Sequence, residues 1–254
     1  MLFDYPMFAA AIFCALLIGM AKGGLSGGLG TLVVPILSLS MDPRAAAALT
    51  LPILVISDAF AIGAYWRQWN RGHILVLLAG AVIGVALGAL TFSWVSEPMM
   101  RLLMGLIAIG FVASRVFSTA PPAEALQPPD LVPGMFWGAL SGFTSFTAHA
   151  GGPPVQIYLL PKGLDKQTFQ ATVIGFFTLL NLVKVPPYLV LGQFTKPIMI
   201  TAIMLMPAAA AGVWIGYKLQ GMIPEKPFFR VLLVLLFLTG SKLTFDGARG
   251  MGWI

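Results

Sequence analysis

Residues 22–35 read KGGLSGGLGTLVVP, and their reading decides the fold. An apolar run of membrane length ends at Lys22, a cluster of glycines interrupts it, and a second, short apolar segment begins at Leu29. A related interruption returns at 141–154, SGFTSFTAHAGGPP. In hydrocarbon every backbone N–H and C=O must be bonded internally, so irregular backbone at membrane depth survives only inside protein or beside a watery cavity. Two such breaks mark a binding site.

The surrounding composition sets the class. Of 254 residues, 58% are hydrophobic and only 9% charged, and the mean hydropathy is +0.91. That excludes a soluble domain with a solvated face and predicts an all-α, polytopic integral membrane protein. The opening MLFDYPMF carries Asp4 and no Lys or Arg ahead of its apolar run. It lacks the basic start of a cleavable secretory signal, so the first helix is expected to stay in place. The net charge of +6 does not indicate nucleic acid, because the basic residues lie mainly at the ends of apolar runs, where positive loops and snorkelling side chains use them. The one cysteine, Cys14, sits among Ile12, Phe13, Leu16 and Leu17, which points to packing and rules out an internal disulfide. His and acidic residues do not cluster at ligand spacing, so no metal or cofactor is expected.

In chain order, the first apolar segment covers 6–21, roughly 24 Å of helix, and the short one covers 29–39, about 17 Å or half the hydrocarbon thickness. Together they predict a hairpin of broken or re-entrant helices. Three spans follow at 45–66, 73–95 and 99–117. The stretch 118–130, STAPPAEALQPPD, combines Pro121, Pro122, Pro128 and Pro129 with Glu124 and Asp130 and has no apolar period, so it reads as a linker. The plan then repeats, with a segment at 131–146, the second break, a short segment at 154–160, and spans at 167–191, 197–219 and 227–245. Residues 1–117 and 131–254 are therefore expected to be homologous halves.

Matching residues support the duplication. Asp42 and Asp165 each open the third segment of their half, Asp58 and Asn181 stand at the same offset of 123 residues, as do Tyr65 and Tyr188, and PMMR at 98–101 matches PFFR at 227–230. Paired broken segments in repeated halves are a signature of secondary transporters and point to the substrate site. A hairpin crosses the membrane twice or not at all, so each half with its three spans crosses an odd number of times and the halves are inverted. If helix and continuation instead form one unwound span, the repeats are parallel. Arg67, Arg71, Arg115, Lys162, Lys166, Lys218 and Lys226 outnumber Arg44, Arg101, Lys196 and Arg249, which assigns the richer side to the cytoplasm and both termini to the outside.

The break GMAKGGLSGGLGTLVVPIL, its counterpart GALSGFTSFTAHAGGPPVQIYLL and the duplicated hydropathy around them resemble the TauE/SafE sulfite-exporter family, over nearly the whole chain. The resemblance implies a transporter of sulfite, sulfoacetate or a related small sulfur-containing anion in the bacterial inner membrane, acting as an exporter. The second break, with Thr144, Ser145, Thr147 and His149, is the more polar, so the two half-sites need not contribute equally.

The residues agree on independent grounds. Helix N-termini offer unpaired N–H donors and a partial positive charge, and glycines let an anion approach the backbone. Gly23, Gly24, Gly27, Gly28, Gly30 and Thr31 surround the start of the first short helix, and His149, Gly151 and Gly152 lead into the second. Lys22 either supplies a full positive charge or snorkels to the interface. Ser26, Ser141, Thr144, Ser145 and Thr147 either donate to anion oxygens or tie down broken backbone. His149 either exchanges protons, coupling transport to them, or binds the anion when charged, or is a neutral ring satisfied by a carbonyl. Asp58 is expected to face the bundle interior, as a proton carrier or as the ion-pair partner of Lys184, three residues beyond Asn181. His73, with Trp66 and Trp69, reads as interfacial. Gly80, Gly84 and Gly88, with Ala208, Gly212 and Gly216, have the small-residue spacing of close helix packing, within the chain or in a homodimer.

Two other classes compete. Gly24-Leu25-Ser26-Gly27 fits the GxSG of intramembrane serine proteases, but a glycine-rich break with any serine often produces it, and no second partner for His149 is visible. Re-entrant helix pairs also build anion-channel filters. The carrier reading is preferred, with a small anion and the lipid bilayer as partners and no enzyme activity.

Overall fold

The computed structural model describes residues 5–25, 29–63, 65, 68–92, 94–117, 126–219 and 225–254. Among them are ten α-helices and no strand: α1 (Tyr5–Lys22), α2 (Leu29–Leu37), α3 (Pro43–Ile62), α4 (Arg71–Phe92), α5 (Glu97–Phe117), α6 (Leu131–Ala148), α7 (Gly152–Leu159), α8 (Lys166–Val190), α9 (Lys196–Leu219) and α10 (Glu225–Gly250). Five of these, α3, α4, α5, α8 and α9, are long and apolar enough to cross a membrane. The outward faces stay apolar, with Leu90, Phe117, Val190 and Ile203 all exposed. Lipid is the solvent such a surface suits.

Both breaks fold the chain back on itself. In the first, the Cys14 thiol on α1 lies 3.9 Å from the Val33 carbonyl on α2. In the second, the Ser141 hydroxyl donates to the Gly151 carbonyl at 2.8 Å, and the Asp130 N–H donates to the Tyr158 hydroxyl at 3.2 Å. The Lys162 ammonium pairs with the Asp130 carboxylate. The start of α6 and the end of α7 therefore share one end of the bundle, as a re-entrant hairpin requires and one continuous unwound span does not allow.

Glycines decide how the helices pair. A Cβ added at Gly80 or Gly84 of α4 would lie 2.0 Å from the Met135 or Ala139 carbonyl of α6. Likewise a Cβ at Gly212 would lie 2.4 Å from the Leu16 carbonyl, and one at Gly216 2.5 Å from that of Met20, both on α1. The two stripes thus bring backbone against backbone inside the chain, so the packing they serve is internal. In both pairs residue numbers rise together, so α4 runs parallel to α6 and α9 parallel to α1. By contrast Gly105 meets Gly240 and Thr244 while Gly247 meets Pro98 and Leu102, so α5 and α10 run antiparallel. Thus α1 packs on α9, and α6 on α4.

Local chemistry starts the long helices. Asp42 accepts from the N–H groups of Arg44 at 2.8 Å and Ala45 at 3.0 Å, and Asp165 accepts from those of Gln167 and Thr168, both at 3.0 Å. These repeated acids are the N-caps of α3 and α8, a role that explains why both halves carry one at the same place. The caps fix where α3 and α8 enter the bundle, and Asp58 and Asn181 follow from that register.

Candidate functional site

The first break is held open by its glycines and by the other half. Gly24 takes φ 134, a conformation closed to residues with a Cβ. Its carbonyl, left without a helical partner, accepts from the Gln170 amide of α8 at 2.7 Å. In the second break α6 ends at His149, which adopts the left-handed conformation at φ 51 while its N–H still reaches the Ser145 carbonyl. The next N–H, of Ala150, returns to the Thr144 carbonyl at 3.2 Å. A Cβ at Gly151 would meet the Ser141 hydroxyl at 2.7 Å, so only glycine lets the chain turn this close to α6. Pro153 and Pro154 follow Gly152, and their missing N–H groups leave Gly151 and Gly152 as the backbone donors at the start of α7.

The starts of α2 and α7 meet at a cavity of about 80 Å³. A Cβ added at Gly152 would lie 3.6 Å from the Thr31 methyl across it, while Gly30 has open space on its Cβ side. The polar wall is Lys22, Thr31, Ser145, His149, Gln156 and Asn181, and the apolar wall is Ala21, Leu54, Val173, Ile174 and Phe177. A water needs roughly 10–15 Å³, so the space accepts a group of several heavy atoms. Two helix N-termini open on it, and both favour negative charge.

The charges around the cavity form two groups. The Lys22 ammonium lies 2.5 Å from Asp58 Oδ1 and 5.6 Å from the centre of the Phe177 ring. Asn181 donates its amide to Asp58 Oδ2 at 2.7 Å. Asp58 and Asn181 therefore touch each other, and Asp58 also holds Lys22. Behind the cavity wall, the fully buried Lys184 ammonium donates to His149 Nδ1 at 2.7 Å, the Ser145 hydroxyl at 2.9 Å and the Ser145 carbonyl at 3.3 Å. All three of its protons are used on neutral acceptors. His149 Nε2 faces the Ala47 carbonyl at 2.9 Å, and since a carbonyl only accepts, Nε2 carries the proton and Nδ1 presents its lone pair to Lys184. Two lysines thus stand against one carboxylate, and a buried ammonium without a counter-ion favours an anion nearby.

The other residues expected at the site divide by position. Ser141, Thr144 and Thr147 are spent on backbone: Ser141 on Gly151, Thr144 on the Leu140 carbonyl at 2.8 Å, Thr147 on that of Phe143 at 3.0 Å. None of the three lines the cavity. Gly23 packs on α9, where a Cβ would meet the Val213 carbonyl at 2.2 Å. Ser26, Gly27 and Gly28 lie outside the described residues, as does Trp66. The ion pair expected between Asp58 and Lys184 is made instead by Lys22, because the end of α1 reaches the Asp58 face of α3 while Lys184 turns toward α6. His73, at the start of α4, is buried within the chain, with Nδ1 3.2 Å from the Tyr158 hydroxyl, since the end of α7 covers it. Trp69 is half-buried and packs on Gly175. Gln156 and Gln170 were not anticipated; a lone amide in the apolar run PPVQIYLL was the available signal for Gln156. Among the described residues no group of three His, Cys, Asp or Glu side chains is placed to hold a metal.

In comparison with known proteins, the family description "Sulfite exporter TauE/SafE" matches residues 11–243. No curated protein and no solved structure matches the chain.

Proposed function

The chain belongs to the sulfite exporter TauE/SafE family, a family of membrane transporters, and on that premise we propose that this multi-pass membrane protein carries a small sulfur-containing anion by alternating access. The observation that carries the reading is the cavity where the starts of two broken helices meet Lys22 and its one carboxylate partner, Asp58, with Lys184 behind the wall on Ser145 and His149. Sulfite, or a sulfonate such as sulfoacetate, presents oxygens to the N–H groups at Gly30, Thr31, Gly151 and Gly152 and to the hydroxyls of Thr31 and Ser145. Its charge offsets the ammonium of Lys184 and competes with Asp58 for Lys22. Asp58, which keeps the Asn181 amide, then exchanges its lysine partner for a proton, which is how protons couple to transport in this scheme.

Residues 1–117 and 131–254 act as two halves of inverted topology joined by 118–130. The antiparallel pairing of α5 with α10 and the reciprocal pairings of α1 with α9 and α4 with α6 support that arrangement. Inverted halves around a central site give two exchangeable conformations, the basis of alternating access. The membrane is the bacterial inner membrane and the direction is export, with the lysine- and arginine-rich end in the cytoplasm.

Counterflow of radiolabelled sulfite in proteoliposomes tests the reading. A carrier accumulates label transiently when unlabelled sulfite is trapped on the other side, and Lys22→Ala lowers the affinity by roughly tenfold or more through the lost charge-assisted bonds. Flux that rises linearly with concentration and shows no counterflow overturns the carrier in favour of a channel. A chain that carries chloride as readily as sulfite overturns the sulfur-anion assignment. Retained counterflow in Ser26→Ala removes the serine-protease alternative.

A further inference from the structure

Gln156 lies on α7 one turn after Gly152 and is 7% exposed. It lines the cavity, with its amide nitrogen 3.9 Å from where a Cβ at Gly152 would stand. Its side chain makes no hydrogen bond among the described residues, and its amide is not one of the buried polar groups left unpaired, so it is open to the cavity. Among the other cavity groups, the Asn181 amide donates to Asp58, Lys22 pairs with Asp58, and the Ser145 hydroxyl oxygen accepts from Lys184. Nor does the first short helix offer a counterpart, because α2 reads LGTLVVPIL with no amide. Gln156 thus presents an unengaged amide to the cavity.

We propose that Gln156 is the specificity-determining residue of the cavity, donating its amide N–H to an oxygen of a polyatomic oxyanion and so favouring a sulfonate or sulfite head over a halide. The assignment rests on the anion-carrier reading above. Charge and helix N-termini attract any small anion, and they hold a spherical halide as well as an oxyanion. A planar amide with a fixed direction distinguishes them, since an oxyanion offers several oxygens at defined angles.

Isothermal titration of the purified chain in detergent, with methanesulfonate and chloride at matched ionic strength, tests this. The wild type is expected to bind methanesulfonate more tightly than chloride. Gln156→Leu, of similar volume, is expected to weaken methanesulfonate by roughly tenfold or more with chloride unchanged, and with the ligand-free unfolding temperature confirming an intact fold. Gln156→Glu, which sets a carboxylate at the same length, is expected to abolish methanesulfonate binding. A Leu variant in which the two affinities stay as they were, or fall together, overturns the assignment, as does a Glu variant that binds methanesulfonate like the wild type. A wild type that binds neither anion overturns the carrier reading itself.

Discussion

Lys22 and Asp58, 2.5 Å apart with the carboxylate 2% exposed, form a pair whose worth depends on both partners being present. Removing one partner of a buried pair costs about 3–5 kcal/mol because the other charge is left uncompensated, whereas replacing both is far less damaging. Asp58→Ala is therefore expected to lower stability by about that amount, and Lys22→Met with Asp58→Asn to recover most of it, read as thermal unfolding in detergent. A double variant no more stable than Asp58→Ala would show that the two do not act as a unit. Single residues of this kind were only half legible. An intramembrane acid or lysine declares itself in any apolar run, so Lys22, Asp58, Lys184 and His149 were visible. Which lysine meets the acid was not, because Lys184 is three residues from Asn181 in sequence yet its side chain turns to Ser145 and His149, while Lys22 comes from another helix.

The elements carry their own constraints. α4 and α6 approach so closely that a Cβ at Gly84 would lie 2.0 Å from a backbone carbonyl. A backbone atom cannot swing aside as a flexible side chain can, so Gly84→Val forces the helices apart and costs roughly 1–3 kcal/mol or more. The same change at Gly110, which has no atom within 4 Å of its Cβ site, is expected to be close to neutral, and comparing the two unfolding temperatures checks it. Helix boundaries followed from local signals. The N-cap acids Asp42 and Asp165 and the glycine breaks act within a turn of where they stand, which is why the ten segments agree with the periodicity to within a few residues. The hydroxyls of Thr144 and Thr147 bond carbonyls four residues back, which a helix always supplies, and that of Ser141 ties down the break at Gly151.

Across the whole molecule, inversion makes a prediction about sides. Ser40, between α2 and α3, and Lys166, at the start of α8, are both exposed and occupy nearly equivalent places in the two halves. In a Cys14→Ala background, Ser40→Cys is expected to react with a membrane-impermeant thiol reagent from one side of the membrane and Lys166→Cys only from the other. Labelling of both from the same side would overturn the inverted arrangement. Contiguous stretches of the sequence alone predicted lipid as the solvent, the number and order of the helices, and the two breaks. Those rest on hydropathy, backbone conformation and capping, which act over a few residues and so are written in contiguous stretches. Only the tertiary structure decided that Asp58 takes Lys22, that Asn181 of the other half binds the same carboxylate, that the glycine stripes close inside the chain, and that Gln156 points unpaired into the cavity. Each of those is a contact between helices far apart in sequence, and its partner is chosen by which faces the packing brings together.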